Sequence, residues 1–112
     1  GLPKPAPLGS DFYFKFDDAQ SPYDRDQTLP PVVDYLRSHG NSAVIVSGFH
    51  DSKGNYAYNQ DLARRRAESV RRLMQTQGVA ADRITTKVHV DATGSGSQKE
   101  ARRVEVTIRD HR

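Results

Sequence analysis

Two charged residues are placed where they can do chemistry. Asp51 closes the segment Gly48-Phe49-His50-Asp51, which follows the apolar β-branched run Ala43–Val46. Arg66 shares i, i+4 spacing with Leu62 and Val70, which form the apolar stripe expected of a long helix. An arginine on such a stripe is expected to be partly buried and to need an anionic partner, because an unpaired buried charge is costly. In a strand–loop–helix unit, Asp51 at the strand end and Arg66 on the helix can face one crevice. They then form either an internal salt bridge or a clamp, with Asp51 taking an ammonium and Arg66 a carboxylate in bidentate fashion. Spacing alone leaves both open.

Other chemistry finds little support. His50 beside Asp51 suggests a base and its orienter, but adjacent residues seldom pair that way, and no serine sits on a strained elbow. His39, His50, His89 and His111 lack metal-ligand spacing. The run Gly94-Ser95-Gly96-Ser97 lacks the Lys-Ser/Thr of a phosphate loop and leads into a strand. With no cysteine, thiolate catalysis, disulfides and cysteine-held metals are excluded. No catalytic residue, metal ligand or cofactor is assigned.

The elements that must position Asp51 and Arg66 follow from periodicity. Phe12, Phe14 and Phe16 alternate with Tyr13 and Lys15, a strand with one buried face that ends at Asp17-Asp18. Thr28 is a plausible cap for a helix with Pro30 and Pro31 in its first turn, Val32, Val33 and Leu36 on its stripe, and Gly40 beyond its end. Ala43–Val46 reads as a short central strand covered on both faces, with a loop over Gly48–Asn55. A long helix begins at about Tyr56 or Asn59 and stops at Gly78. Two alternating strands follow, over Ile84–Val90 and Val104–Ile108. The order is β-α-β-α-β-β, an α+β fold (a mixed α/β sandwich) with both helices on one face of a mixed sheet. Residues 1–10, with Pro3, Pro5 and Pro7, read as a linker, and residues 11–112 as one domain.

Charge is uneven. Of the 112 residues, those at 1–58 include five basic and seven acidic ones, whereas those at 59–112 include twelve basic and seven acidic ones. The basic half suggests an anionic partner, or only a solvated helix face carrying Arg64, Arg65, Arg71 and Arg72. Nucleic acid is a weak alternative, since no aromatic interleaving or reader motif accompanies those arginines. The longest uninterrupted apolar run is far short of a membrane span and no signal peptide is visible at Gly1, as expected of a cytosolic protein or a soluble piece of a longer secreted or anchored one.

Gly48-Phe49-His50-Asp51, Gly54, Tyr58-Asn59-Gln60, Leu62, Arg65-Arg66-Ala67, Ser69-Val70 and Gly78-Val79-Ala80-Ala81-Asp82-Arg83-Ile84 occur in the order and spacing of a known domain. Together with Phe14-Lys15-Phe16-Asp17 and Arg102-Arg103-Val104-Glu105, they make residues 11–109 resemble the OmpA-like C-terminal peptidoglycan-binding domain family. That family's pattern runs Gly-His/Tyr-Thr-Asp, a short loop with Gly, then Asn-x-x-Leu-Ser-x-x-Arg-Ala. The chain departs from it with His50 for Thr, Ala63 for Ser, Ala101 for Asn, and a shorter segment over Asp91–Ala101 without Gly-x-x-x-Pro.

The resemblance implies a non-enzymatic periplasmic module that grips the bacterial cell wall through the diaminopimelate of the peptidoglycan stem peptide. It implies ligand contacts by Asp51 and Arg66, with Asn59, Leu62, Asp17, His50, Arg102 and Arg103 around them. It favours the clamp, and alanine at Asp51 or Arg66 is expected to abolish binding while leaving the fold intact. It also implies an excised piece of an envelope protein, attached to the outer membrane or tethered through an upstream barrel, lipid-anchored tail or transmembrane helix. The alternative is an envelope protein-interaction module that kept the fold and lost wall binding.

Overall fold

The structure, a computed structural model, describes residues 11–91 and 100–110. The expected linker over 1–10, the glycine–serine run and His111 lie outside those residues. The elements are β1 (Phe12–Tyr13), α1 (Arg25–Ser38), β2 (Ser42–Asp51), α2 (Tyr56–Thr76), β3 (Ile84–Asp91) and β4 (Arg103–Asp110), with 3-10 turns at Ala81–Arg83 and Glu100–Arg102. The four strands lie in the order β1-β4-β2-β3. β2 pairs parallel with β3 and antiparallel with β4, and β1 pairs antiparallel with β4. This is the expected α+β class with a mixed sheet.

The core forms where the apolar side chains of the helices meet those of the sheet. Val32, Leu36, Val70 and Met74 pack with Phe12, Phe14, Val44, Val46, Val104 and Ile108, all fully buried. In β2, Ser42, Val44, Val46, Gly48 and His50 are buried, while Ala43, Ile45, Phe49 and Asp51 on the other face are only half-buried, Ser47 there being the exception. That alternation corrects the expectation of a strand covered on both faces: β2 is central within its sheet, but helices cover one face only. The strand also runs on to Asp51, through residues expected as loop, because both neighbours continue its hydrogen bonding: β4 as far as Gly48 and β3 as far as Asp51.

Two further boundaries differ from expectation. β1 is two residues long. After the buried Phe14 the chain turns, with Asp18 N–H donating to the Lys15 carbonyl, and Asp17 adopts a left-handed φ of 54°. Phe16 is thereby turned outward and is 81% exposed. Helix α1 starts at Arg25, not after Thr28, so Pro30 and Pro31 lie inside it. They are tolerated because they sit on the exposed side, where the carbonyls of Asp26 and Gln27 that lose a helical donor face water. Asp24 precedes the helix and ties it to β1: its Oδ1 accepts from Tyr13 N–H at 3.1 Å and its Oδ2 from the Thr28 hydroxyl at 3.4 Å.

Candidate ligand-binding site

A pocket of about 260 Å³ opens where the end of β2, the start of α2, the loop after β1 and the turn before β4 converge. Its position follows from the packing of α2 on β2. A β-carbon at Gly48 would lie 2.3 Å from the Ala63 carbonyl oxygen, so only glycine lets the helix backbone come this close. The pair sets the spacing between the strand end and the helix stripe.

The β2–α2 loop is held by its own side chains. Asn55 caps α2 by accepting from Tyr58 N–H at 3.0 Å. Asn59 Nδ2 donates to the Lys53 carbonyl at 2.8 Å, and Asp51 Oδ1 accepts from Lys53 N–H at 2.9 Å. Gly54, with φ of 81°, makes the turn between them. Asp51 thus spends one oxygen lobe on the loop and keeps the rest of its carboxylate at the pocket, which it lines.

Arg66 enters from the helix and is 3% exposed. Its Nε donates to the Asp18 carbonyl at 2.8 Å and its Nη2 to the Lys15 carbonyl at 3.2 Å, and the guanidinium stacks over Phe14 at 5.6 Å. Among the described residues no ion pair joins it to Asp51, so the internal salt bridge that spacing left open is absent. Burial first, and then the nearby positive charge of Arg102, pull the Arg66 guanidinium below its usual range, to about 10. Arg102 Nε donates to the Phe14 carbonyl at 3.1 Å, and its side chain lines the same pocket. Two guanidiniums that repel one another beside a common cavity form a site for an anion.

Asp17, His50, Asn59 and Leu62 complete the expected set at this pocket. Arg103 does not reach it. Its guanidinium lies 4.0 Å over the Phe49 ring and its Nε donates to Glu105 at 3.0 Å. Strand alternation explains this: Arg103 points to the side of the sheet that carries Phe49 and Glu105, opposite the buried Val104.

Sequence reasoning did not place Phe16 or Tyr58 at the pocket, and both line it. The Tyr58 hydroxyl donates to Asp17 Oδ1, pinning the left-handed residue at the rim. That hydrogen bond raises the Tyr58 phenol above its usual 10.0. Tyr58 was visible in the motif beside Asn59, but an exposed side chain carries no periodic signal. The other helix arginines stay outside. Arg64 and Arg65 pair with Asp61 on an exposed face, as expected; Arg71 pairs with Glu68 but departs from the expectation of a solvated face, being half-buried with its Nε buried and without a hydrogen-bond partner.

No group of three or more potential metal-ligating side chains is gathered among the described residues, and no helix there is long and apolar enough to cross a membrane.

The OmpA family model matches residues 13–107. Peptidoglycan-associated lipoprotein of Buchnera aphidicola is 32% identical over 70% of this chain and 45% of that protein. A stretch of the photosystem I P700 chlorophyll a apoprotein A2 of Gloeobacter violaceus is 32% identical over 95% of this chain but only 14% of that protein. The crystal structure of the peptidoglycan-associated lipoprotein from Burkholderia pseudomallei superposes with a TM-score of 0.76 at 26% identity, covering 89% of this chain and 90% of that one. The chain spans less than half the length of these two curated relatives.

Proposed function

Because this chain belongs to the OmpA family, we propose that it is a non-enzymatic module that holds peptidoglycan from the periplasm and so tethers an envelope protein to the cell wall. The ligand group is the side-chain end of diaminopimelate in the stem peptide, which carries a free ammonium and a free carboxylate. Asp51 takes the ammonium, and Arg66 with Arg102 takes the carboxylate. Asn59 shapes the loop that presents Asp51, Leu62 packs against the ligand's methylenes, and Asp17 forms the rim. Any connection to a membrane runs through a segment beyond this domain. The observation that carries the reading is the meeting of charges at one small cavity: the carboxylates of Asp51 and Asp17 and the guanidiniums of Arg66 and Arg102, with no ion pair between Asp51 and Arg66.

The test is co-sedimentation with purified sacculi of two kinds, one with diaminopimelate and one with lysine at the third stem position. Lysine supplies the ammonium but not the second carboxylate. The protein is expected to pellet with the first kind, and Asp51→Ala is expected to weaken that binding by about 2–5 kcal/mol, the usual loss for breaking a desolvated charge pair. Equal retention on both kinds removes the diaminopimelate assignment. Retention on neither removes wall binding and leaves an interaction module on the same fold.

A further inference from the structure

His50, whose side chain lines this pocket, carries a buried hydrogen-bonding atom without a partner. It is 3% exposed and lies on the helix-facing side of β2, one residue before Asp51, with its side chain in the pocket wall. Its Nδ1 is 2.8 Å from the Asp51 carbonyl oxygen. A carbonyl can only accept, so Nδ1 carries the proton, and in the neutral ring Nε2 is left as an acceptor. Nε2 is buried and has no hydrogen-bond partner. Tyr56 packs against the ring at 5.3 Å in a T-shaped contact, which fixes the ring without satisfying that nitrogen. A buried acceptor without a donor is destabilising, and native folds rarely keep one without a use.

We infer that His50 Nε2 is a ligand-contacting acceptor that, with the Asp51 carboxylate, selects a ligand end bearing N–H donors, a primary ammonium. The inference rests on the zwitterion reading of the pocket and adds a residue-level specificity to it. Asp51 attracts any cation, whereas the imidazole lone pair needs a donor hydrogen directed at it, which an ammonium supplies and a quaternary or metal cation does not. The contact exists only while the ring is neutral. Once protonated, Nε2 becomes a donor on a positive ring and repels the ammonium. The described ionisable groups that share the pocket with the ring are Asp51 on its own strand, Tyr58 and Arg66 on α2, Asp17 after β1 and Arg102 before β4. A bound ammonium and a ring proton would set two positive charges against one another. Ligand and ring proton therefore exclude one another.

The experiment measures binding of a muramyl tripeptide ending in meso-diaminopimelate to wild type, His50→Phe, His50→Gln and Asp51→Ala at about pH 7.5 and about pH 5. Wild type is expected to lose about tenfold or more in affinity at the lower pH, as for a hydrogen bond to a charged group. His50→Phe is expected to bind about tenfold more weakly at the higher pH and to show little pH dependence. His50→Gln, which keeps an acceptor that does not titrate, is expected to bind with a flat profile. Nitrogen NMR of wild type gives a readout independent of any variant: Nε2 is expected to be unprotonated at the higher pH and to shift when the tripeptide binds. If wild type binds and Asp51→Ala does not, but His50→Phe matches wild type at both pH values, the role of His50 is overturned and the reading of the pocket stands. An Nε2 resonance unmoved by bound tripeptide overturns it equally, even if His50→Phe fails to fold. No binding by wild type at either pH overturns both.

Discussion

Gly48 and Ala63 meet backbone to backbone: a β-carbon on the first would sit 2.3 Å from the carbonyl oxygen of the second. This contact lies between the strand that carries Asp51 and the helix that carries Arg66, so it governs the width of the pocket. Gly48→Ala is expected to push α2 away from β2 and destabilise the domain by about 1–3 kcal/mol, as overpacking does. Thermal unfolding should show a midpoint lower by about 4–8 °C for each kcal/mol lost. Wall binding should weaken as well in the fraction that remains folded.

Arg66 is part of the fold as well as of the pocket, because it holds the carbonyls of Lys15 and Asp18. Arg66→Ala takes a donor from the Asp18 carbonyl and leaves the Lys15 carbonyl only the Asp18 N–H, and it is expected to cost about 1–3 kcal/mol of stability. The expectation that alanine there leaves the fold intact therefore changes for Arg66. It is kept for the half-buried Asp51, whose carboxylate accepts from the Lys53 backbone N–H. Arg66→Lys keeps the charge but not the planar fork. It is expected to recover less than half of the binding lost in Arg66→Ala, measured by sacculus co-sedimentation alongside a urea melt of each variant.

The Tyr58–Asp17 hydrogen bond gives a prediction with a definite sign. The phenol is raised above 10.0 chiefly by that bond. A group whose neutral form is favoured in the folded state contributes stability that is present below its unfolded value and is lost as pH rises through the folded one. Among the five tyrosines, Tyr58 is expected to ionise later than an ordinary phenol in an ultraviolet tyrosinate titration. Tyr58→Phe should remove that late step, and Asp17→Ala should move it back toward 10.0. A late step that survives both variants would assign it to another tyrosine.

Arg83 fastens the far end of the sheet. Its guanidinium donates to the carbonyls of Leu36, His39 and Ser42 at 2.8, 3.0 and 3.0 Å, tying the end of α1 to the start of β2. Arg83→Ala is expected to lower stability by about 1.5–3 kcal/mol, read as a lower urea midpoint, while sacculus binding of the folded protein stays as it was. Lysine, a point donor, should not restore the midpoint.

Arg66 was legible in the sequence because its spacing with Leu62 and Val70 required burial, and burial of a guanidinium requires acceptors. What spacing could not supply was their identity, since the acceptors are backbone carbonyls 48 and 51 residues away. Phe16 was misread because alternation holds only while the backbone stays extended, and the chain turns at Lys15–Asp18. Arg103 was misplaced by treating two adjacent arginines as one unit. The alternation that buries Val104 already assigned Arg103 to the side of Glu105. The Tyr58–Asp17 contact joins exposed residues 41 positions apart and leaves no trace in composition or period.

The last strand in chain order, β4, lies between β1 and β2 rather than at an edge. This has a consequence for a chain that emerges N-terminus first from a ribosome or a translocation pore. β1 has no strand to pair with until β4 arrives, and Arg102, just before β4, is among the last pocket residues to emerge. A half-emerged chain therefore holds Asp51 and Arg66 but not the assembled cavity. Assembly waits on non-local pairing, which is intrinsically slow. An assembled pocket thus reports a completed domain, and a chain still being delivered cannot yet offer one.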